Sequence, residues 1–191
     1  MGLRRPIGEL QGKEQVRRIA RGMGLPVHDK PDSQEICFVP DGDYVALLRK
    51  RAPQALRSGE IITSDGQVLG THEGYARFTI GQRRGLGVAA GKPIYVKQID
   101  PATATVTTGT SQEVMSNHLV ASRVNWHRDV PEEFKAVVQI RYNHNGAMGT
   151  VRITTATTFE VLFDDPVFAI TPGQAAVVYD EDHLLGGGWI E

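Results

Sequence analysis

The hydrophobic period of this chain changes at Gly59, and that change constrains the fold more than any other feature of the sequence. Before Gly59, apolar residues recur at the three- and four-residue spacing of amphipathic helices. After Gly59, they alternate with polar residues along short segments separated by turn-forming residues. Alternation places every second side chain on the buried face of a strand. We therefore predict a mainly β protein with a short helical N-terminal segment.

The positions of the predicted elements follow from this periodicity. In the first 110 residues we predict helices over 8–24 and 44–51, a hairpin of 60–62 with 68–70, a strand-like segment over 77–80, and a hairpin of 94–99 with 103–108. After a linker at 113–117, the predicted strands are 119–126, 136–142, 149–155, 158–163, 175–179 and 183–190. Short strands at such spacing are typical of a small closed β-barrel or a sandwich.

Three segments are expected along the chain. Residues 1–49 form a helical segment and a cysteine loop, residues 50–112 a small mixed domain that is mostly β, and residues 113–191 a second β domain.

The composition excludes several classes of protein. Hydrophobic residues make up 40% of the 191 residues, which is too many for a disordered chain. No apolar run is long enough to cross a membrane. A single cysteine cannot form an internal disulfide, which fits a reducing cytosol, and the six histidines lack zinc-site spacing. We expect a cytoplasmic protein with no structural metal and no membrane partner.

The net charge of −1 conceals an asymmetry between the two halves of the chain. Residues 1–100 hold 16 Lys and Arg against 11 Asp and Glu, whereas residues 101–191 hold 5 against 11. A polyanion would prefer the first half by Coulomb attraction. The asymmetry also fits two ordinary solvated surfaces, and the acidic second half argues mildly against extensive RNA contact there.

The single cysteine, Cys37, lies in the segment KPDSQEICFV over residues 30–39. Apolar neighbours on both sides fit a buried cysteine, which is the common fate of a free thiol. A reactive thiol would instead need exposure and a nearby cation that lowers its pKa. Asp32, Ser33 and Gln34 are interpreted as structural supports that cap a helix or shape the cysteine loop.

Several segments resemble, in the same order, the tRNA-specific 2-thiouridylases of the MnmA/TrmU family. The matching segments are PIGEL at 6–10, KEQVRRIA at 13–20, GLPV at 24–27, the cysteine segment at 30–39, FTIGQRRGLG at 78–87, IRY at 140–142, TPGQA at 171–175 and LGGG at 185–188. One such match would be weak, but the ordered set spans nearly the whole chain. The resemblance implies that the last domain is a β-barrel like those of translation factors.

The resemblance also implies a chemistry. In that family the cysteine matching Cys37 carries a persulfide sulfur that is transferred to the 2-position of a tRNA wobble uridine after ATP-dependent adenylation. The family's ATP-pyrophosphatase domain, with its S-G-G-x-D-S phosphate loop and first catalytic cysteine, has no counterpart in this sequence. The chain therefore resembles the C-terminal portion of a thiouridylase, and whether it is a split gene product, a paralogue or a piece of a longer protein stays open.

The implied partners follow from this reading. They are tRNA, a persulfide donor such as a desulfurase or a relay protein, and the missing ATP-pyrophosphatase domain, which would hold ATP and Mg²⁺. Without that domain we expect the isolated chain neither to adenylate nor to thiolate tRNA.

The resemblance also implies tRNA contacts by Arg141, Tyr142 and Gln174. On a strand over 136–142, Tyr142 would share the apolar face, which makes Arg141 the more favourable RNA contact. Gln174 alternatively makes a turn hydrogen bond after Pro172-Gly173.

Arg83 and Arg84 lie between glycines, where the backbone can approach a phosphate and paired guanidinium groups supply donors. They fit equally well as solvated arginines in a tight turn. Asp164 and Asp165 are interpreted as a solvated turn before Pro166, and residues 186–188 (GGG) as a turn or bulge.

Two other functions remain open at this stage. One is a non-catalytic RNA-binding β-barrel module in which Cys37 is structural. The other is a sulfur-relay protein that passes persulfide onward without handling RNA. Alkylation of Cys37 distinguishes them, because it blocks sulfur loading but leaves binding by a pure RNA-binding module intact.

Overall fold

The computed structural model describes residue 10, residues 12–31, residue 39 and residues 43–191. The chain divides into two compact units, Met1–Leu47 and Leu48–Glu191. The predictions for Cys37, Asp32, Ser33 and Gln34 lie outside the described residues.

Two helices confirm the helical character of the N-terminal segment. The first, α1, runs over Lys13–Gly22, so the predicted start at residue 8 is wrong. Gly12, the residue before α1, has φ 85°, a left-handed conformation that glycine adopts readily. This conformation is not helical, so the helix begins only after Gly12. The second helix, α2, covers Tyr44–Arg51 as predicted, and the N–H of Ala46 donates to the Asp43 carboxylate at 2.9 Å.

A four-stranded mixed sheet forms the first part of the second unit. Its strands are β1 (Gly59–Thr63), β2 (Val68–His72), β3 (Tyr95–Asp100) and β4 (Thr105–Gly109), in the order β2-β1-β4-β3. Both predicted hairpins are confirmed as antiparallel pairs, whereas β1 and β4 run parallel. The sheet buries an apolar cluster built around Ile61, Val96 and Val106.

The strand predicted over 77–80 is wrong. A 3-10 turn occupies Tyr75–Arg77, and the N–H of Phe78 closes it by donating to the Tyr75 carbonyl oxygen at 3.1 Å. The alternating apolar side chains of this segment still pack against the buried cluster, but from a loop that covers the sheet. Burial alone therefore accounts for the pattern that resembled a strand.

The predicted β-barrel is confirmed as a closed six-stranded barrel with the strand order β10-β5-β8-β7-β6-β9. Its strands are β5 (Met115–Trp126), β6 (Glu133–Gln139), β7 (Ala147–Thr155), β8 (Thr158–Phe168), β9 (Ala175–Asp180) and β10 (His183–Ile190). Inward side chains fill the interior, with Phe159, Val161 and Val178 fully buried. Closure leaves no free strand edge on the barrel.

Strands extend into two segments that were predicted to be irregular. The linker expected at 113–117 ends in β5, which begins at Met115 and pairs with Phe168. The turn expected at Asp164-Asp165 lies inside β8. Ser116 pairs with Val167 and His118 with Leu162, so residues 163–166 have no partner on β5. Proline lacks the N–H that a ladder requires, which explains why Pro166 falls in this break.

The triple glycine lies within β10 and not in a turn. Register shifts on both sides of it confirm the predicted bulge. A Cβ on Gly186 would lie 2.5 Å from the Asn125 carbonyl oxygen, and one on Gly187 would lie 2.5 Å from the Ala176 carbonyl oxygen. Only glycine fits at these close approaches to the neighbouring strands.

The sheet and the barrel of the second unit meet at the end of β8. The Tyr95 ring contacts the Phe168 ring edge-on, with 5.3 Å between centroids. The N–H of Ala169 donates to the Val114 carbonyl oxygen at 3.0 Å. A Cβ on Gly81 would lie 2.5 Å from the Ala169 Cβ, so the loop after Ile80 passes directly over this point.

None of the helices described combines the length and apolarity of a membrane span. No group of three or more His, Cys, Asp or Glu in the described part of the chain is placed to hold a metal ion.

Candidate nucleic-acid interface

The loop between β6 and β7 presents two of the predicted contact residues. β6 ends at Gln139, so the prediction that Arg141 and Tyr142 lie on a strand is wrong. The Gln139 side-chain amide donates to the carbonyl oxygens of Tyr142 at 3.3 Å and His144 at 2.7 Å. The N–H of His144 donates to the Arg141 carbonyl oxygen at 3.0 Å. These bonds replace ladder hydrogen bonds and fold the segment into a turn.

Within this turn the exposure of the two side chains is the reverse of the prediction. Arg141 is half-buried, and its guanidinium donates to the Phe168 carbonyl oxygen at 3.1 Å and lies 6.0 Å from the centre of the Phe168 ring. Tyr142 is 95% exposed and not part of an apolar face. The predicted strand placed their side chains on opposite faces, but the turn holds Arg141 by its guanidinium and leaves the Tyr142 ring in solvent.

Gln174 lies in a turn closed by main-chain groups. Its N–H donates to the Thr171 carbonyl oxygen at 3.2 Å, and its own carbonyl oxygen accepts from the N–H of Ile190 at 2.8 Å. The N–H of Gly173 donates to the Ile190 carbonyl oxygen at 2.8 Å. The turn bond that offered an alternative explanation for this residue is thus made by the main chain, not by the side-chain amide.

Arg141, Tyr142 and Gln174 come together around one depression. It has a volume of about 330 Å³, and its lining residues are Gln139, Arg141, Tyr142, Gln174, Ala175 and Val177. Among the described residues, no Asp or Glu contributes to this lining. A cation, an exposed aromatic ring and two amides therefore share a surface without a competing carboxylate.

The second predicted pair, Arg83 and Arg84, lies on an exposed loop over the four-stranded sheet. Gln82 shapes this loop, because its amide nitrogen donates to the Arg84 carbonyl oxygen at 2.9 Å and its amide oxygen accepts from the N–H of Thr79 at 3.0 Å. Main-chain bonds join the same loop to Val96 of β3. The arginines are therefore carried on an ordered support.

Arg83 lines a broad, open depression of about 650 Å³ with Lys92 and the glycine-rich stretch 85–94, whereas Arg84 does not line it. The structure therefore separates the pair. Arg83 and Lys92 share one concave surface, and Arg84 is exposed beside it. Cations beside glycines, where the backbone can be approached closely, form a surface suited to phosphate.

His144 is a titratable group beside the Arg141 turn. Burial, with a smaller contribution from the nearby Arg141 charge, lowers the pKa of His144. His144 is therefore neutral near pH 7, and Arg141 supplies the positive charge of its turn.

The outer surface of β5–β8, unlike the two depressions above, carries carboxylates beside its cations. Arg152 contacts Glu133 at 2.8 Å and Glu160 at 3.8 Å, and His118 contacts Glu160 at 3.2 Å. The hydrogen bond to Glu133 raises the pKa of Arg152 further. These residues, with Leu162, line a depression of about 290 Å³. It matches the Gln174 depression in size, but carboxylates neutralise its cation.

Comparison with known proteins covers almost the whole chain. Three family models match in sequence: a tRNA methyl transferase HUP domain at residues 3–41, a tRNA methyl transferase PRC-barrel domain at 46–110 and an aminomethyltransferase beta-barrel domain at 116–190. The chain is 48% identical over 188 residues to the tRNA-specific 2-thiouridylase MnmA of Carboxydothermus hydrogenoformans, covering 97% of this chain and 51% of that protein. The MnmA proteins of Paramagnetospirillum magneticum and Syntrophotalea carbinolica are 43% and 45% identical, over 98% and 97% of this chain and 50% and 53% of theirs.

The chain belongs to the MnmA family. It spans about half the length of the curated MnmA relatives it matches. The part that matches the beta-barrel domain contains Arg141, Tyr142 and Gln174, and the part that matches the PRC-barrel domain contains Arg83 and Arg84. Cys37 falls in the segment that matches the HUP domain, outside the residues that the structure describes.

Sequence reasoning did not identify four residues that shape these MnmA-family surfaces. Gln139 and Gln82 hold the two loops through their side-chain amides, and Phe168 anchors Arg141. No local pattern distinguishes a loop-forming glutamine from a solvated one. Lys92 had a usable signal, because a lysine between Gly91 and Pro93 is typical of an exposed turn.

Proposed function

We propose that this chain supplies the tRNA-holding and sulfur-carrying half of a tRNA-specific 2-thiouridylase. The observation that carries the proposal is the convergence of Arg141, Tyr142 and Gln174 on one depression with no carboxylate among the described residues. They come from two stretches about 30 residues apart, so the fold and not sequence proximity joins them. A surface that only contacts solvent would not need these three side chains to be brought to the same depression.

Each of the three side chains has a distinct role in the proposed contact. Arg141 donates one hydrogen bond to Phe168, which fixes the guanidinium plane while its other N–H groups remain available to a phosphate. Tyr142 offers an exposed ring on which an unpaired base can stack. Gln174 carries both a donor and an acceptor, which suits a base edge or a ribose hydroxyl.

Arg83, Arg84 and Lys92 provide a second, less selective contact. Their loop is exposed and rich in glycine, so we assign it to the phosphate backbone and not to bases. Contacts of this kind contribute affinity that falls steeply with salt concentration, because bound phosphates release their counterions.

Cys37 is assigned the sulfur-carrying role. In the proposed reaction the 2-oxygen of the wobble uridine is first adenylated with loss of pyrophosphate. The terminal sulfur of a Cys37 persulfide then attacks C2, and AMP departs with the oxygen. A thiolate from a second cysteine, outside this chain, attacks the Cys37 sulfur, so the sulfur–sulfur bond breaks and its electron pair stays with the sulfur on C2. The resulting protein disulfide is restored to two thiols by a thiol reductant.

ATP and Mg²⁺ are assigned to the half of the relatives that this chain does not span. The sequence holds no S-G-G-x-D-S phosphate loop, and its glycine-rich loop at 81–87 has the spacing of neither common phosphate loop. A cysteine desulfurase or a relay protein would supply the persulfide sulfur. The site of action implied by a tRNA substrate is the cytoplasm.

The proposal is tested by the affinity of the chain for an unmodified tRNA transcript. We compare the parent with Arg141→Ala, Tyr142→Ala and Gln174→Ala, and use Arg152→Ala as a control that removes an arginine already paired with carboxylates. Each of the three variants should bind several-fold more weakly, and the control should bind like the parent. If all four bind alike across a salt titration, the barrel surface is not the RNA contact. Persulfide loading in a chain that does not bind RNA would instead favour a sulfur relay.

A further inference from the structure

We propose that the RNA-binding surface continues from the Gln174 depression across the triple glycine of β10 and ends at Trp189 and Arg123, where an unpaired nucleotide of the same RNA stacks. The inference rests on the proposed function, since it extends that surface to a second nucleotide position. It is carried by a separate depression of about 300 Å³ on the outside of β9, β10 and β5. Its lining includes Arg123, Trp189, the triple glycine and the residues Ala175 and Val177 of β9.

Much of the lining of this depression is small, because it includes Ala175, Ala176 and the triple glycine. Gly187 pairs with Val177 on one side and with Asn125 on the other. A Cβ at any of the three glycines would lie within 2.7 Å of a neighbouring carbonyl oxygen, so none of them can carry a side chain. Gly187 is half-buried, and Gly186 and Gly188 are buried. A base or a ribose can therefore approach the strand at Gly187, where no side chain intervenes.

An aromatic ring and a cation form the wall at one end. Trp189 is 45% exposed and pairs with Ala175, whose small side chain leaves the ring accessible. The guanidinium carbon of Arg123 lies 5.4 Å from the centre of the Trp189 ring. Arg123 has φ 51°, a left-handed conformation that is rare for a residue with a side chain, and it lies where the register of β5 with β10 shifts. A bulge of this kind re-aims a side chain, here over the ring of Trp189.

The two depressions form one surface. Ala175 and Val177 line both, and no Asp or Glu among the described residues lines either. The acidic hairpin turn Asp180-Glu181-Asp182 lies at the other end of β9 from Ala175, away from the Trp189 pair. The barrel domain is acidic overall, so a surface without carboxylates among its described lining residues differs from the rest of the domain.

The chemistry of the surface identifies its occupant. Two aromatic rings on this surface are exposed, Tyr142 and Trp189. Tyr142 lines its depression together with Arg141, and Trp189 contacts Arg123. Ala175 and Val177 line both depressions. Stacking platforms combined with cations are the usual means of holding single-stranded RNA. Inside a base-paired duplex both faces of each base are covered by stacked neighbours, so the nucleotide that stacks on Trp189 is unpaired.

The test uses the whole chain with three probes: a tRNA transcript, an oligouridylate and a fully paired RNA duplex. Trp189→Ala should weaken oligouridylate and tRNA binding about tenfold, with little change in the salt slope, and should leave duplex binding unchanged. Trp189→Phe should retain most of the affinity. Arg123→Ala should weaken binding and lower the salt slope by about one unit. Leu162→Ala, which removes an exposed apolar side chain from the acidic face, should bind like the parent.

The outcomes separate this inference from the proposed function. If Arg141→Ala weakens tRNA binding but Trp189→Ala and Arg123→Ala do not, the extended surface is rejected and the proposed function stands. If the parent binds no RNA, both fail. An equal loss of duplex and oligouridylate binding in Trp189→Ala would also overturn the inference, because it would remove the requirement for an unpaired base. Each variant must show the parent's circular dichroism spectrum at the temperature of the binding assay, and Arg123→Ala decides the matter if Trp189→Ala does not fold.

Discussion

The Arg141 guanidinium donates a hydrogen bond to the main-chain carbonyl oxygen of Phe168, 27 residues further along the chain. This bond joins the β6–β7 turn to the end of β8, where the Phe168 ring also contacts Tyr95 of the four-stranded sheet. Arg141 is thus both a candidate RNA contact and a structural tie. Its substitution should affect stability and RNA binding together, whereas substitution of the exposed Tyr142 should affect binding alone.

We expect Arg141→Ala to lower the free energy of unfolding by about 1–2 kcal/mol, because it removes a part-buried hydrogen bond to a charged donor and the contact with the Phe168 ring. Arg141→Lys should recover part of the RNA affinity through its charge and little of the stability. Urea unfolding and tRNA titration of both variants measure the two effects. Tyr142→Ala, with unchanged stability, is the control, and a fully stable Arg141→Ala would show that the tie to Phe168 contributes nothing.

The glycines of β10 should be intolerant of any side chain. Gly186→Ala places a Cβ within 2.5 Å of the Asn125 carbonyl oxygen and of the Trp126 ring, and we expect a loss of about 1–3 kcal/mol or failure to fold. Gly22→Ala, near the end of α1 with open space around it, is the control and should be neutral or mildly stabilising. Thermal unfolding followed by circular dichroism measures the difference. A Gly186→Ala protein as stable as the parent would contradict the strand register.

Acid should weaken the junction before the barrel through Glu113. Hydrogen bonds from Ser64 and from the main chain and side chain of Thr110, together with the Lys97 charge, hold the pKa of Glu113 at about 2, below its ordinary value of 4.5. The folded-state pKa is depressed, so the ionised carboxylate stabilises the fold above pH 4.5, and that contribution is lost as the pH falls towards about 2.

Glu113→Gln should therefore be less stable than the parent at pH 6, and the gap should close as the pH falls between those two values. Urea midpoints of the two proteins, measured at each pH, test this. A gap that stays constant down to pH 2 would show that the carboxylate's charge has no role.

The sulfur-carrying role of Cys37 predicts that its thiol reacts with iodoacetamide faster than a model thiol at neutral pH, because a persulfide carrier needs thiolate character. After incubation with a cysteine desulfurase, mass spectrometry should show the gain of one sulfur atom. Cys37 is the single cysteine of the chain, so Cys37→Ser removes every candidate thiol and should abolish the gain. A thiol that reacts only after denaturation would favour a buried structural cysteine.

The sequence predicted the barrel because alternation and turn chemistry are local signals. β7, β9 and β10 lie close to their predicted positions. The failures have physical causes that such signals do not reveal. β6 ends early because the Gln139 amide bonds to carbonyl groups beyond it, and β8 passes through Pro166 because the ladder with β5 is interrupted there.

The candidate site was predictable in its residues but not in its geometry. Arg141, Tyr142 and Gln174 were selected through the family resemblance, and the strand pattern then assigned the wrong environments to Arg141 and Tyr142. No sequence feature indicated that Arg123 is turned onto Trp189, since that contact depends on a register shift between β5 and β10. Exposure and convergence are tertiary properties, and only the folded barrel reveals them.

The most direct measurement is hydroxyl-radical footprinting of the chain with and without bound tRNA. Tyr142 is 95% exposed and Leu162 is 54% exposed on the carboxylate-bearing face, so both side chains are oxidised in the free protein. The ratio of their oxidation within one sample cancels radical scavenging by the RNA. We predict that bound tRNA lowers oxidation of Tyr142 several-fold and leaves Leu162 unchanged. Unchanged oxidation of Tyr142 in a saturated complex, or protection of Leu162 instead, would contradict the assignment of the barrel surface.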